Sequence, residues 1–300
     1  MSVAHPRLAI TVGDPRGIGP EIIGKALSDP RVRAAASYVV VGPKGTRMAV
    51  QEAIGDWRMD GGPVLAGELA GAAIERAVEL AMSGAVQGIV TAPIDKAALL
   101  AGGYDYPGHT EMLAELTGTR TAMMLTSPTL RVVLATTHIP LRLVPAVLTR
   151  GIILEIARLT RDALRDWYGI AEPRIALCAL NPHAGDGGRF GTEDAELLAP
   201  AARAAQLIGP LPADTVFVKA MRGAFDAVIA PYHDVGMTAI KVASFGSAVN
   251  VTLGLPFPRT SPAHGTAMDI TGQGIADPSS MIAAILECAR LAGITAGTIA

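Results

Sequence analysis

Cysteine is scarce in this sequence: only Cys178 and Cys288 occur among its 300 residues. Cys178 lies in an apolar, strand-like run and Cys288 in a helical one, which is typical of reduced cysteines buried in a core. No CxxC pair is present, so a zinc site built from cysteines is not expected. We therefore expect two free core thiols and a cytoplasmic location.

Charged side chains are also few, and their signs nearly balance. Asp, Glu, Lys and Arg make up 17% of the chain and the formal net charge is −2, which argues against a nucleic-acid partner. Long apolar runs are absent too, since none approaches the roughly 18 residues that span a bilayer, and no membrane partner is expected. The starting stretch MSVAHPRLAITVGD is broken by Gly13 too early for a signal peptide.

Short apolar runs account for much of the 50% hydrophobic content. The runs RLAITV, SYVVVG and GIVT are typical of strands buried on both faces of a sheet. Helical patterns follow these runs and predict helices over residues 44–54, 67–82, 144–167 (the longest) and 278–291. This alternation of strands and helices predicts a parallel α/β sheet.

The first strand leads into the glycine-rich segment GDPRGIGPE and then into a helix. Gly17 and Gly19 have the spacing of a dinucleotide-binding fingerprint, but Ile22 occupies its third glycine position. Two interpretations stay open for this segment: a tight turn before the helix, or a turn whose backbone contacts a ligand.

Three predicted strands are each followed by a histidine: His138 after LRVVLATT, His183 after RIALCALNP and His233 after FDAVIAPY. Carboxyl ends of parallel strands commonly line ligand crevices. The three imidazoles could hold a divalent metal, with Asp214 and Asp234 orienting them. The alternative is that each histidine merely satisfies a backbone group.

Isolated polar groups also stand out in the apolar stretch between residues 231 and 270. Lys241 and Arg259 could pair with structural carboxylates or grip an anionic substrate, for which Arg is the better bidentate partner. Asn250, on a strand-like run, can donate and accept toward a ligand. Earlier in the chain, Thr110 is either a helix N-cap or a ligand contact, and His109 beside it could contact an anion.

Together these segments make the sequence similar to the 4-hydroxythreonine-4-phosphate dehydrogenase family of vitamin B6 biosynthesis. The resemblance covers nearly the whole chain and includes, in order, GDPRGIGPE, TAPIDK, YPGHTE, TTHIPLR, LNPHAGDGG, GPLPADT, YHDVG, VNVTLGLPFPRTSPAHGTA and GIAD. It implies that His138, His183 and His233 ligate a metal, the third donated across a homodimer interface. It also implies that the substrate contacts His109, Thr110, Lys241, Asn250 and Arg259.

The segment HGTAMDI also resembles the adenosine-binding loop of isopropylmalate and isocitrate dehydrogenases. That resemblance implies a fold of three α/β/α layers in two lobes around a cleft, with residues 1–125 and 251–300 in one lobe and 126–250 in the other. Asp269 would bind the cofactor ribose and favour NAD over NADP by repelling a 2′-phosphate. The remaining residues implied to line the cofactor pocket are His264, Gly265, Thr266 and Ala267.

The implied activity is an NAD-linked, metal-dependent oxidation and decarboxylation of 4-phosphooxy-L-threonine to 3-amino-2-oxopropyl phosphate, in pyridoxal phosphate biosynthesis. The metal would polarise the hydroxyl group. Lys241, Asp214 and a metal-bound water are the candidate bases, with Asp234 as a further catalytic residue. Zinc, cobalt, nickel, magnesium and manganese all remain open, and NADP is the alternative cofactor.

The sequence also departs from the family pattern. Val235 stands in YHDVG where the family usually has glutamine, and little chain lies between Asp60 and Gly67. The alternative substrates are threonate or erythronate 4-phosphate and an aromatic cis-dihydrodiol; the retained anion-binding residues argue against the dihydrodiol. A non-catalytic protein that binds metal or phosphate is the alternative from another class.

Overall fold

The computed structural model describes residues 5–244 and 248–298. The chain divides into two units, Met1–Thr121 with Val249–Ala300, and Ala122–Ala248. Both predicted core thiols, Cys178 and Cys288, are free and buried, as expected. No helix within the described ranges is long and apolar enough to cross a membrane.

Strands and helices mostly alternate along the described chain, with some consecutive pairs of the same kind. The strands are β1 (Arg7–Thr11), β2 (Ser37–Lys44), β3 (Glu52–Asp56), β4 (Gly88–Thr91), β5 (Ala122–Thr126), β6 (Arg131–Leu134), β7 (Ile175–Cys178), β8 (Ile208–Leu211), β9 (Ala227–Ala230), β10 (Val249–Leu253) and β11 (Arg259–Pro262). The helices are α1 (Gly19–Ser28), α2 (Pro30–Ala35), α3 (Gly62–Met82), α4 (Lys96–Ala101), α5 (His109–Thr117), α6 (Val144–Val147), α7 (Arg150–Asp166), α8 (Ala199–Ala205), α9 (Ala213–Met221), α10 (His233–Ser244) and α11 (Ser279–Thr298).

The first unit is built on strands in the order β3-β2-β1-β4-β11-β10, all parallel except β10, which runs antiparallel to β11. Because side chains alternate between the faces of a strand, Ala9 and Ile89 pack against α3. Their neighbours Leu8 and Gly88 face the other side of the sheet. There, a Cβ atom on Gly88 would lie 2.8 Å from Sγ of Cys288 on α11. Helices therefore cover both faces, which gives this unit the predicted three layers.

The second unit has strands in the order β5-β6-β9-β7-β8, parallel except for the antiparallel pair of β5 and β6. Val132, Ala176 and Val228 form a core with residues of α9 and α10, while α7 packs against β5, β9 and α8. The parallel strands β6, β9 and β7 are neighbours, so their carboxyl ends lie side by side.

The helix predicted over residues 44–54 is wrong. Strand β2 extends to Lys44, and Gly45 turns the chain with a φ of +83°. A Cβ atom on Gly45 would lie 2.3 Å from the carbonyl oxygen of Trp57, so this turn requires glycine. The backbone amide of Trp57 returns to bond the carbonyl of Lys44, and residues 52–56 form the edge strand β3.

The long helix predicted over residues 144–167 is two helices. Leu148 and Thr149 have extended backbone conformations between α6 and α7, and the hydroxyl of Thr149 accepts a hydrogen bond from the amide of Ile152 at 3.3 Å. Thr149 is thus an N-cap that starts a new helix. Among the described helices α3, with 21 residues, is the longest, and α11 continues beyond the predicted end to Thr298.

Candidate active site

A buried arginine, Arg259, is the central polar residue of the candidate site in the first unit. Arg259 is 1% exposed, and its guanidinium donates to the hydroxyl of Thr252 at 2.8 Å and to that of Thr91 at 2.5 Å. Its Nε has no hydrogen-bond partner. Burial lowers the pKa of Arg259 to about 10, which the charge of Glu111 partly opposes. Neutral hydroxyls hold this cation in place and leave its positive charge available to an anion.

Besides Oγ1 of Thr11, two further buried side-chain atoms of the same unit have no partner. They are Nε2 of His109 and Oδ1 of Asn250. Asn250 is two residues from Thr252 on β10, so both side chains lie on one face of that strand. A buried polar atom without a partner costs on the order of 1–3 kcal/mol. Three such atoms, counting Nε of Arg259, are a physical signature of a binding site that a polar ligand completes.

His109 begins α5, and Thr110 follows it, half-buried, in the first turn. The pKa of His109 lies well below its usual value of 6.5, first because of burial and then because of the positive charges of Arg259 and Lys96. The imidazole is therefore neutral at physiological pH and can donate one hydrogen bond to an anion. Thr110 accepts no capping bond, because the N-cap position belongs to Gly108.

The predicted cofactor loop is anchored on the glycine-rich turn before α1. The carbonyl of Thr266 accepts a hydrogen bond from the amide of Ile18 at 3.0 Å. A Cβ atom on Gly17 would lie 2.9 Å from that carbonyl oxygen, so a glycine permits the close approach. Ala267 has a φ of +42°, a left-handed conformation that costs a non-glycine residue energy.

The far end of this loop is held by α1. Lys25 donates to the carbonyls of Gly274 and Ala276 at 2.9 and 2.7 Å and to Glu21 at 2.8 Å. Glu21 also accepts from the amide of Ala276, and the hydrogen bond from Lys25 is the largest cause that lowers its pKa. The loop is braced at both ends, while the predicted cofactor-binding residues His264, Gly265 and Asp269 are exposed.

In the second unit the structure brings together two of the three predicted metal-ligating histidines. His138 follows β6 and His233 follows the neighbouring parallel strand β9, and their ring centroids are 5.5 Å apart. Nδ1 of His233 lies 2.7 Å from a carboxylate oxygen of Asp234. Because a carboxylate only accepts, Nδ1 carries the hydrogen and Nε2 keeps a lone pair for a metal. Both rings line a cavity of about 110 Å³.

His183 is not part of this pair. It is exposed, and its ring lies 6.4 Å from that of Phe190. Within residues 5–244 and 248–298 of one chain, no three His, Cys, Asp or Glu side chains are placed to hold a metal ion. The two imidazoles thus fit a metal only as a partial donor set, with the Asp234 carboxylate orienting one of them.

His183 lies in a left-handed turn. Every residue from His183 to Gly187 has a positive φ, including the non-glycine residues His183, Ala184 and Asp186. The buried carboxylate of Asp194 accepts from the amides of Leu180 and Asn181 at 2.8 and 2.9 Å. It thereby fixes the chain where it enters the turn, and backbone strain of this kind clusters at functional sites.

The structure corrects the expected surroundings of other predicted site residues. Lys241 was expected among apolar groups but is exposed on α10, eight residues and therefore ~12 Å along the helix from His233. Asp214 is exposed in the first turn of α9. Val235, which stands where the family usually has glutamine, packs against the core of this unit. Its side chain therefore lies in an apolar environment.

The structure adds residues to the site that sequence reasoning missed. Thr91 and Thr252 position Arg259, and Lys96 lies near His109. For Thr252 a signal existed, because it follows Asn250 with the period of two that places both on one strand face. Thr91 ends an apolar strand, where threonine is common for its β propensity alone, so its partner could not be inferred.

The described strands and helices define the class of fold: α/β layers of the isocitrate dehydrogenase type. The structure of isocitrate dehydrogenase from Methylococcus capsulatus superposes with a TM-score of 0.50 at 16% identity, covering 95% of this chain and 88% of that one. The sequence profile of the family described as pyridoxal phosphate biosynthetic protein PdxA matches residues 43–288. The chain belongs to this family.

Relatives of similar length support the assignment. The chain is 44% identical to a 4-hydroxythreonine-4-phosphate dehydrogenase from Desulforapulum autotrophicum, with 98% of each sequence covered. The crystal structure of a 4-hydroxythreonine-4-phosphate dehydrogenase from Klebsiella pneumoniae superposes with a TM-score of 0.86 at 38% identity, covering 97% of this chain and 99% of that one. The family expected from the sequence motifs is confirmed.

Proposed function

We propose that this chain is a metal-dependent, NAD-linked 4-hydroxythreonine-4-phosphate dehydrogenase of pyridoxal phosphate biosynthesis. It oxidises the secondary alcohol of 4-phosphooxy-L-threonine to a ketone, with NAD⁺ taking the hydride and one proton released. Loss of CO₂ from the resulting β-keto acid then gives 3-amino-2-oxopropyl phosphate. The observation that carries the proposal is the buried guanidinium of Arg259 among neutral hydroxyls, beside buried polar atoms that lack partners.

The phosphate group of the substrate is the anion that these groups bind. Arg259 supplies a fixed charge, His109 one N–H donor and Thr110 a hydroxyl, while Asn250 contacts a neighbouring polar group. Placement of the phosphate fixes the distance to the reacting carbon, which lowers the barrier by orientation. A substrate without phosphate, such as a cis-dihydrodiol, would leave the cation and the buried atoms without partners.

His138 and His233 of one chain, rather than His233 of a second copy as the resemblance implied, would hold the divalent metal, with Asp234 orienting His233. When bound, the metal would supply Lewis-acid polarisation of the substrate hydroxyl. One chain provides an incomplete donor set, and we propose that a second copy in a homodimer completes it, with all three histidines His138, His183 and His233 as ligands. The assembled site then contains groups from both copies.

His264, Gly265, Thr266, Ala267 and Asp269 would hold the adenosine part of the cofactor on the braced loop. When bound, the nicotinamide would supply the hydride acceptor. The exposed carboxylate of Asp269 would accept hydrogen bonds from the ribose and repel a 2′-phosphate, so NAD is preferred to NADP. Replacing Asp269 by Ser should shift the ratio of kcat/KM values toward NADP.

Lys241, Asp214 and Asp234 are the side chains proposed to move the proton of the reacting hydroxyl. The length of α10 separates Lys241 from the histidine pair of its own chain by ~12 Å. If Lys241 is the base, it therefore acts on the site of the second copy. Mixing Lys241→Met with His138→Ala subunits tests this, because a mixed dimer should regain activity at one of its two sites only if each site draws on both copies.

The test of the proposed function is NADH formation from a panel of phosphorylated hydroxy acids, with and without a chelator. We expect kcat/KM to be highest for 4-phosphooxy-L-threonine and turnover to stop on metal removal. Higher kcat/KM for threonate or erythronate 4-phosphate would reassign the enzyme to sugar-acid catabolism. Metal binding without NAD reduction on any substrate would identify a non-catalytic protein instead. Fractionation of the source cells should find the enzyme in the cytoplasm.

A further inference from the structure

Lys96 occupies a fixed position at the start of α4. It follows the N-cap residue Asp95, whose carboxylate accepts from the amides of Ala97 and Ala98 at 2.8 and 3.1 Å. The same carboxylate receives the guanidinium of Arg16 at 3.2 Å. The backbone that carries Lys96 is therefore held from two sides, although its side chain is exposed.

The side chain of Lys96 extends to the segment that begins α5. A Cβ atom on Gly108 would lie 3.5 Å from Cε and 3.9 Å from Nζ of Lys96, and the next residue is His109. The positive charge of Lys96 also acts on the imidazole of His109, because it lowers the pKa of that ring, as the charge of Arg259 does. Two cations from separate elements thus lie near one neutral imidazole whose Nε2 is buried.

The carboxylates near these cations are too few to neutralise them. Glu111 is close, because its Oε2 would lie 3.6 Å from the same Cβ position on Gly108. In the described part of the chain neither Lys96 nor Arg259 has a carboxylate within ion-pair distance. Two cations and one carboxylate leave a net positive charge at this site, as the binding of a phosphate dianion requires.

We propose that Lys96 supplies the second positive charge of the anion site, with Arg259 the first, and sets its affinity for the substrate phosphate. The inference rests on the proposed function for the identity of the substrate. Arg259 is fixed inside the strand face, whereas Lys96 is exposed and its flexible chain can close over an anion that has already entered. An ordinary solvated surface lysine would have no such effect.

Inorganic phosphate is the probe, because its binding requires neither metal, cofactor nor turnover. Affinity is measured from the rise of the unfolding temperature with phosphate concentration and from competitive inhibition. Lys96→Met should weaken phosphate binding ~10-fold, because one charged contact is lost. The variant should fold normally, because Met is as compatible with a helix as Lys. Lys96→Arg should stay within about threefold of wild type, since it keeps the charge.

The matched control is Lys219→Met, which removes an exposed lysine from α9 and should leave phosphate affinity unchanged. The proposal is overturned if wild type does not bind phosphate, if Lys96→Met binds it as wild type does, or if Lys96→Arg loses as much as Lys96→Met. The expected ranking in a protein that reduces NAD with no phosphorylated hydroxy acid would support Lys96 and reject the proposed function.

Discussion

The candidate anion site of the first unit is held in place within one chain, whereas the histidine pair of the second unit is partly exposed and incomplete. Arg259 is 1% exposed and two threonines from neighbouring strands hold it, so its geometry exists before any ligand arrives. His138 is exposed, and one chain provides too few donors there to hold a metal. Under the proposed function the substrate phosphate would meet a preorganised site, whereas the metal site would need a second copy of the chain.

The largest effect should come from removing one imidazole of the pair. We expect His138→Ala to lower kcat by at least ~10³-fold, because a bound metal supplies several kcal/mol of transition-state stabilisation. Elemental analysis should find little metal in the purified variant. His264→Ala, which removes an exposed histidine of the other unit, should keep its metal, and a full metal content in His138→Ala would contradict the assignment.

Loss of Arg259 should weaken substrate binding and leave metal binding unchanged. Arg259→Met is expected to lower kcat/KM by ~10²–10³, since truncating a buried charged partner costs ~3–4 kcal/mol. Metal content should not change. Arg259→Lys should restore little, because one ammonium cannot reach both threonine hydroxyls in the fork geometry of a guanidinium.

The control for Arg259 is an arginine with a structural role. Arg131 donates to the carbonyl of Asp226 at 3.1 Å and lies 4.4 Å from the ring centre of Tyr168. Arg131→Met should lower the free energy of unfolding without changing phosphate affinity. Equal losses of affinity in the two variants would show that Arg259 acts through stability alone.

The carboxylate beside His233 should tune metal affinity less severely. Asp234→Asn is expected to weaken metal binding ~10–100-fold, the usual effect of removing a group that orients a ligating imidazole. Competition with a chelating dye measures this directly. Asp269→Asn removes an exposed carboxylate of the first unit and should bind metal as wild type does; equal affinities in both variants would exclude the orienting role.

A threonine that holds Arg259 should have a smaller effect on substrate binding. Thr252→Val removes the acceptor of one guanidinium N–H, so we expect phosphate affinity to fall ~5–10-fold and stability by ~1–3 kcal/mol. Thr260 is the control, because it is equally buried and its hydroxyl donates to the carbonyl of Ala284 at 2.7 Å. Thr260→Val should lose stability only, as measured by urea unfolding.

The smallest effect is a pH dependence of stability. The pKa of His109 is lower in the folded chain than its usual 6.5. As pH falls below 6.5, His109 therefore binds a proton in the unfolded state but stays neutral in the folded state. Stability should fall with decreasing pH, by at most ~1.4 kcal/mol per pH unit from this residue. His109→Gln should flatten the dependence between pH 7 and 5, and His264→Gln should not. An unchanged slope in His109→Gln would contradict the burial of its imidazole.

The strands of this fold were predictable where they are buried on both faces. Strands β1, β2, β6 and β9 are fully or largely buried and read as continuous apolar runs. The edge strand Glu52–Asp56 is half exposed, so it has no such run, and the preceding segment looked helical. Likewise the sequence around Thr149 predicts one long helix, because only the extended backbone of Thr149 reveals the cap.

The candidate site was predictable in its residues but not in its contacts. Arg259 and Asn250 stood out as polar groups in an apolar stretch, yet Thr91, a partner of Arg259, is 168 residues away in sequence. The apolar sequence neighbours of Lys241 suggest an apolar environment, but helical periodicity places it on the exposed side of α10. Short-range patterns cannot report which distant strand becomes a neighbour.

The left-handed turn at His183 carries a cost in stability. Ala184 and Asp186 adopt backbone angles that glycine would adopt at lower cost, and each therefore reduces stability by ~1–2 kcal/mol. Glycine at positions 184 and 186 would relieve that cost but would leave the backbone around His183 less restricted. The strained residues therefore hold His183 on a stiffer turn than glycine would.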